Sequence, residues 1–178
     1  MISLQNIFNF LSLFLSGLIA GLLFSYSCSV NPGLKSLGDN EYIKAMQSIN
    51  LAIKNPYFLI SFMGLLLVFP VSTYLMYRQQ TDTSFYLMLA AMIIYFIGVF
   101  GITMFCNVPL NEQLAKFLIS SALANDISTM RQTFEKPWNS YHTIRTIASI
   151  ISFGLTILSI IKQKDNPRNT QKFMFTFC

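Results

Sequence analysis

TSFYLMLAAMIIYFIGVFGITMFCNVPLN, residues 83–111, contains no Asp, Glu, Lys or Arg. A helix rising 1.5 Å per residue needs roughly 20 apolar residues to cross a hydrocarbon slab about 30 Å thick, and this stretch is longer than that. Working outward, residues 1–34, 55–77 and 146–161 are also uncharged. The first two exceed the requirement and the last falls just short of it. The pattern predicts an all-α fold, a four-helix transmembrane bundle with spans at about 7–27, 57–77, 84–106 and 138–161. A short helix is expected in each long loop.

Only 11% of the residues are charged, against about 25% in soluble domains, which agrees with a chain surrounded by lipid. Four spans consume about half of it, so residues 1–165 read as one bundle and 166–178 as a basic, then apolar, tail. The net charge of +5 fits basic flanks against anionic lipid. No basic run with interleaved aromatics speaks for nucleic acid. Cys28, Cys106 and Cys178 form no CxxC pair, and the one histidine cannot complete a zinc site with them, so no metal or cofactor is expected. The first span lacks the Lys or Arg of a signal peptide's leading segment and is longer than a usual signal core, so it reads as a retained helix.

Span one carries Ser12, Ser16 and Ala20 beside Gly17 and Gly21, small residues that let helices approach closely; Gly98 and Gly101 offer span three the same. Asn31-Pro32-Gly33 reads as a turn. Between residues 40 and 53, Tyr42, Ile43, Met46, Ile49 and Ile53 recur at helical spacing, predicting a helix that lies on the membrane or caps the bundle. Pro70 is expected to kink span two. Pro109 is expected in the first turn of a new helix over about 110–123. Residues 125–139 read as a polar connection. Basic residues are divided almost evenly between the two sides; the dense group after span four favours cytoplasmic termini.

Two groups of residues stand out as chemistry. His142, Arg145, Ser149, Ser152, Thr156 and Ser159 share one face of span four. The serines and threonines suit a packing seam. His142 and Arg145 need another reason, either snorkelling of the arginine to lipid phosphate or a site in the bundle that holds an anionic group. Asn107 and Asn111, four residues apart with Glu112 adjacent, leave span three on the side where span four begins. Asn31, Asn50 and Asn55 lie at that same end. Each asparagine alone reads as a helix cap; together they suggest a site. No phosphate loop, HExxH or GxSxG motif occurs, and no acid lies deep in a span, which disfavours a cation-coupled transporter.

The segments SCSVNPGL (27–34), YIKAMQSIN (42–50), NPYF (55–58), NVPLN (107–111) and WNSYHTIR (138–145) together resemble the anthrone oxygenase-like family of small four-span membrane proteins, over about 17–159. Most members have no known function; characterised ones oxidise anthrones to anthraquinones with dioxygen. Where many relatives carry Asn near the start of the last span, this chain has His142, while Arg145 matches. The resemblance implies catalytic roles for His142 as base and Arg145 as oxyanion holder, with Asn107 and Asn111 assisting. Trp138, Tyr42 and Asn50 would line the place of a flat aromatic or other apolar substrate. The alternative is a non-enzymatic membrane protein that binds lipid or quinone, or a subunit of a larger assembly. The sequence does not speak to oligomeric state.

Overall fold

The computed structural model describes residues 3–79 and 82–164. Five helices carry the chain: α1 (Leu4–Lys35), α2 (Asp39–Ala52), α3 (Pro56–Arg78), α4 (Thr83–Ala115) and α5 (Ala124–Gln163). There is no strand among the described residues. The four helices other than α2 are long and apolar enough to cross a membrane. Local chemistry fixes the ends. The Ser3 hydroxyl accepts from the Asn6 amide at 3.2 Å to start α1. The Asn55 Oδ1 accepts from Phe58 N at 3.0 Å, with Pro56 following in the first turn of α3, where its missing N–H costs nothing.

Large apolar side chains face outward from Leu4 to Phe24 on α1, Tyr57 to Tyr77 on α3, Tyr86 to Phe105 on α4 and Ile144 to Ile161 on α5. That band marks the lipid contact of a multi-pass membrane protein. Inside it, Ile19, Leu65, Phe69, Met88 and Tyr95 form the core, and the Tyr95 hydroxyl donates to the Phe62 carbonyl at 2.8 Å. Beyond the band, α5 continues. Its 40 residues span about 60 Å, twice the hydrocarbon thickness. The first half joins α2 and the ends of α1 and α4 in a cap with its own core of Leu34, Tyr42, Ile43, Met46, Leu114, Phe134 and Trp138. Of the two readings of the amphipathic segment, α2 therefore takes the bundle cap.

The structure departs from the sequence reading at Pro32 and Pro109. The helix does not turn at Asn31-Pro32-Gly33; α1 runs on to Lys35. Nor does Pro109 open a new helix; α4 passes through it to Ala115, and only a short turn, Ile119–Ser121, follows. Each proline is preceded by a widened π turn, Tyr26–Val30 before Pro32 and Thr103–Asn107 before Pro109. A proline ring collides with the carbonyl four residues back, here that of Cys28 or Phe105, and cannot donate to it. Widening the turn to i→i+5 spacing moves that carbonyl aside and keeps the helix whole. The polar connection 125–139 is also helical, because Ile127, Met130, Phe134 and Trp138 make a stripe that buries against the cap. Pro70 lies within an unbroken α3. The tail 166–178 lies outside the described residues.

Glycine packing is only partly as expected. A Cβ at Gly17 would come within 3.1 Å of the Phe153 ring, and one at Gly98 within 2.7 Å of the Ala148 Cβ, so both glycines sit at contacts with α5. Gly101 would meet its own helix, at the Phe96 carbonyl. Gly21 meets nothing and is exposed, so its assignment to the packing face is corrected; of the two α1 glycines only Gly17 sits at a helix contact. At the end of the bundle opposite the cap, three helices are tied by amides. Gln5 Nε2 donates to Asn9 Oδ1 at 2.7 Å, Asn9 Nδ2 to Gln163 Oε1 at 2.6 Å, and Gln163 Nε2 to Gln79 Oε1 at 3.0 Å.

Arg131 clamps the cap. It donates to the Leu37 carbonyl at 2.7 Å, to Asp39 at 3.0 Å and to Glu135 at 2.7 Å, and lies 4.5 Å over the Tyr42 ring. Burial pushes the Tyr42 phenol above its usual range, so it stays neutral inside the cap core. Arg131→Met keeps the stem and loses the charge. It is expected to cost the cap about 2 kcal/mol, the scale of charge-assisted bonds between part-buried groups. Amide hydrogen exchange in Asp39–Ala52 will rise, while that of the membrane core will not change.

Candidate functional site

The site lies where the cap core meets the membrane core, at the edge of the lipid band. Four residues of α5 reach it on one face: Trp138, His142, Arg145 and Thr146. Trp138 and His142, one turn apart, stack with ring centroids at 5.2 Å and an interplanar angle of 15°. Arg145 reaches back along its own helix, bringing Cζ to 5.1 Å over the Trp138 ring. Its Nε and Nη2 approach His142 Nδ1 at 3.3 and 3.2 Å, and Nη1 donates to Thr103 Oγ1 at 3.4 Å. The arginine thus points toward the water-facing end, as a snorkelling side chain would, but runs inside the bundle.

The hydrogens around His142 follow from its neighbours. A guanidinium has no acceptor, so Nδ1 must carry the lone pair that receives it. A neutral ring then carries its proton on Nε2. The Ser27 hydroxyl spends its own hydrogen on the Leu23 carbonyl at 3.1 Å and accepts from Nε2 at 2.9 Å. The Thr146 hydroxyl likewise donates to the His142 carbonyl at 2.8 Å, lying 3.5 Å from Nε2. His142 is 1% exposed, and both of its nitrogens are engaged.

The asparagines hold the tryptophan and not the arginine. Trp138 Nε1 donates to Asn111 Oδ1 at 2.8 Å, and Asn107 Nδ2 donates to the Trp138 carbonyl at 3.3 Å. Asn107 is fully buried and its Oδ1 has no partner. Glu112, next to Asn111, is exposed; no carboxylate pairs with Arg145 among the described residues. Tyr42 stands two rings away, at 6.5 Å from Phe134, which itself stacks on Trp138 at 6.2 Å. Asn50 is buried in the same cap, with Nδ2 unpartnered. Further along α5 the stripe is a packing seam, with Ser152 donating to the Ala91 carbonyl and Ser159 to that of Ser84.

Sequence reasoning missed Tyr26, Ser27 and Thr103. Tyr26 meets the His142 ring edge-on at 5.0 Å and the Trp138 ring at 5.4 Å, and its hydroxyl reaches Met46 Sδ at 3.2 Å. Tyr26 and Ser27 lie in the wide turn before Pro32 and Thr103 in the one before Pro109. The prolines that follow were the available signal.

The sequence model of the anthrone oxygenase family matches residues 57–155, more than half of the chain. The chain belongs to the anthrone oxygenase family. The match carries Thr103, Asn107, Asn111, Trp138, His142 and Arg145; Tyr26, Ser27, Tyr42 and Asn50 fall before it. No curated protein and no solved structure matches the chain.

Proposed function

We propose that this member of the anthrone oxygenase family is a membrane oxygenase that takes a flat anthrone-type substrate, or a similar apolar aromatic ketone, from the bilayer and converts its methylene to a carbonyl with dioxygen. One observation carries the reading. A guanidinium sits within the bundle at the membrane boundary, over the face of an indole, and no carboxylate neutralises it among the described residues. Such a group favours a ligand that brings negative charge next to aromatic surface.

The anthrone methylene loses a proton to give an enolate, whose electrons reduce dioxygen. The carbon bonds to one oxygen atom, giving a peroxide that is protonated. Loss of the second methylene hydrogen as a proton, with cleavage of the O–O bond, leaves the new ketone and water. One dioxygen is consumed per substrate: one atom enters the product and the other becomes water. Arg145 would hold the enolate oxygen. Trp138 and Tyr26 would provide aromatic surface, and Asn107 and Asn111 would keep Trp138 in place. Both termini would face the cytoplasm, with the cap on the other side.

The test is oxidation of 1,8-dihydroxyanthrone by the purified protein in nanodiscs, followed by anthraquinone absorbance and oxygen uptake. The expected result is a rate well above the spontaneous oxidation, with one dioxygen consumed per quinone formed. A rate equal to that with empty nanodiscs sinks the oxygenase. Co-purified quinone or lipid in such an inactive preparation would favour a binding protein.

A further inference from the structure

We propose that His142 is a positioning residue for Arg145 and not the proton acceptor, and that the substrate enters the site already ionised. This rests on the oxygenase reading above and assigns roles within that site. The geometry supplies three steps. First, a base needs a free lone pair, and His142 has none. Its Nδ1 receives Arg145 at 3.2 and 3.3 Å, while Nε2–H is spent on Ser27 at 2.9 Å. Protonating Nδ1 would require the guanidinium to swing away and would leave two cations side by side in the bundle.

Second, Ser27 agrees with Arg145 on which nitrogen carries the proton. Its hydroxyl is committed to the Leu23 carbonyl, leaving only an acceptor toward the imidazole. The wide turn Tyr26–Val30 presents that oxygen to the ring. The chain from Leu23 through Ser27 and His142 to Arg145 therefore runs in one direction, from a backbone carbonyl to a guanidinium.

Third, the guanidinium is left with work to do. Its contacts with His142 and Thr103 use three of the five N–H groups of an arginine, and no carboxylate pairs with it among the described residues. The missing negative charge is then the ligand's own, an enolate or phenolate oxygen. The ionised substrate reacts with dioxygen to give quinone and hydroxide, so that charge and atoms balance with no protein base.

Two independent experiments test this. The chain has a single histidine, so a sample with labelled imidazole nitrogens gives the ¹⁵N spectrum of His142 alone. The expected spectrum is that of a neutral ring with the proton on Nε2. In Ser27→Ala the tautomer should persist, because Arg145 still donates to Nδ1. A doubly protonated ring, or the Nδ1–H tautomer in the unmodified protein, overturns the proposal.

The second experiment uses 1,8-dihydroxyanthraquinone, a product-type dye that changes colour on ionisation. Bound to the protein, it should ionise at least about one pH unit lower than in empty nanodiscs, the scale of an opposite charge at contact. Arg145→Gln should abolish the shift. For turnover, His142→Asn should stay within about threefold of the parent, because Asn Oδ1 occupies the place of Nδ1 as an acceptor, whereas His142→Leu should lose about a hundredfold. If the asparagine variant is as inactive as the leucine variant while both bind dye, His142 is the base and the proposal fails, with the oxygenase intact. If the parent ionises the dye but oxidises no anthrone, the anion site stands and the oxygenase falls. A dye that binds without any shift overturns the anion site.

Discussion

On the oxygenase reading, Arg145→Lys will give a folded protein with turnover reduced about a hundredfold, the scale of losing one preorganised donor to an oxyanion. The charge is retained, so a simple electrostatic requirement would predict little change. The arginine is held through its shape. One edge meets His142 Nδ1, another meets Thr103 Oγ1, and Cζ lies 5.1 Å over the Trp138 ring. An ammonium is a point charge on a flexible stem and cannot occupy all three places. Anthraquinone formation is the readout, with a melting temperature within a few degrees of the parent. Unchanged turnover would mean that Arg145 only neutralises local charge, and would return it to the role of a snorkelling anchor.

Gly98→Leu is expected to be the most destabilising single change in the bundle. Even the first added carbon would lie 2.7 Å from the Ala148 Cβ, closer than real Cβ atoms approach. Both groups are borne by helix backbones, so relief requires α4 and α5 to separate. Overpacking of this kind costs about 3 kcal/mol, or roughly 6–12 °C of melting temperature in a chain of this size. Gly21→Leu, which points into open space, should change nothing and serves as the control. Pairing Gly98→Ala with Ala148→Gly moves the methyl across the interface and should restore most of the loss. Thr103 and Arg145 lie across that same interface, so Gly98→Ala should also lower turnover. An unaffected Gly98→Leu melting temperature would refute the close α4–α5 approach.

The span count was legible because a charge gap is a statement about solvent, and lipid tolerates few exceptions. The helix ends were less so. Charge marks where lipid stops, not where a helix stops, and α5 continues for about 30 Å into the cap as an amphipathic helix stabilised by neighbours. The site was legible where periodicity alone decides it: His142 and Arg145 share a face of a regular helix. Asn107 and Asn111 were found as polar residues at a span end, but their attachment to Trp138 depends on a wide turn that periodicity does not encode. Tyr26, Ser27 and Thr103 were hidden for the same reason. The prolines were noticed, yet Pro32 was read as part of a turn and Pro109 as the opening of a new helix. In a membrane, where an unpaired backbone group has no water to turn to, bending the ladder around a proline is cheaper than breaking it.

The wide turns before Pro32 and Pro109 also bear on how this chain should be compared with its kin. A π turn stores one extra residue within a continuous helix. Removing that residue would not shorten a loop; it would turn everything beyond it by about 100° about the axis. A one-residue gap just before Pro32 or Pro109 in a relative is therefore a rotation in space. Such a relative would present different side chains to the aromatic stack while keeping nearly every letter of its sequence. A single-residue deletion at either place is therefore a small genetic step that would change which face the scaffold presents to the stack.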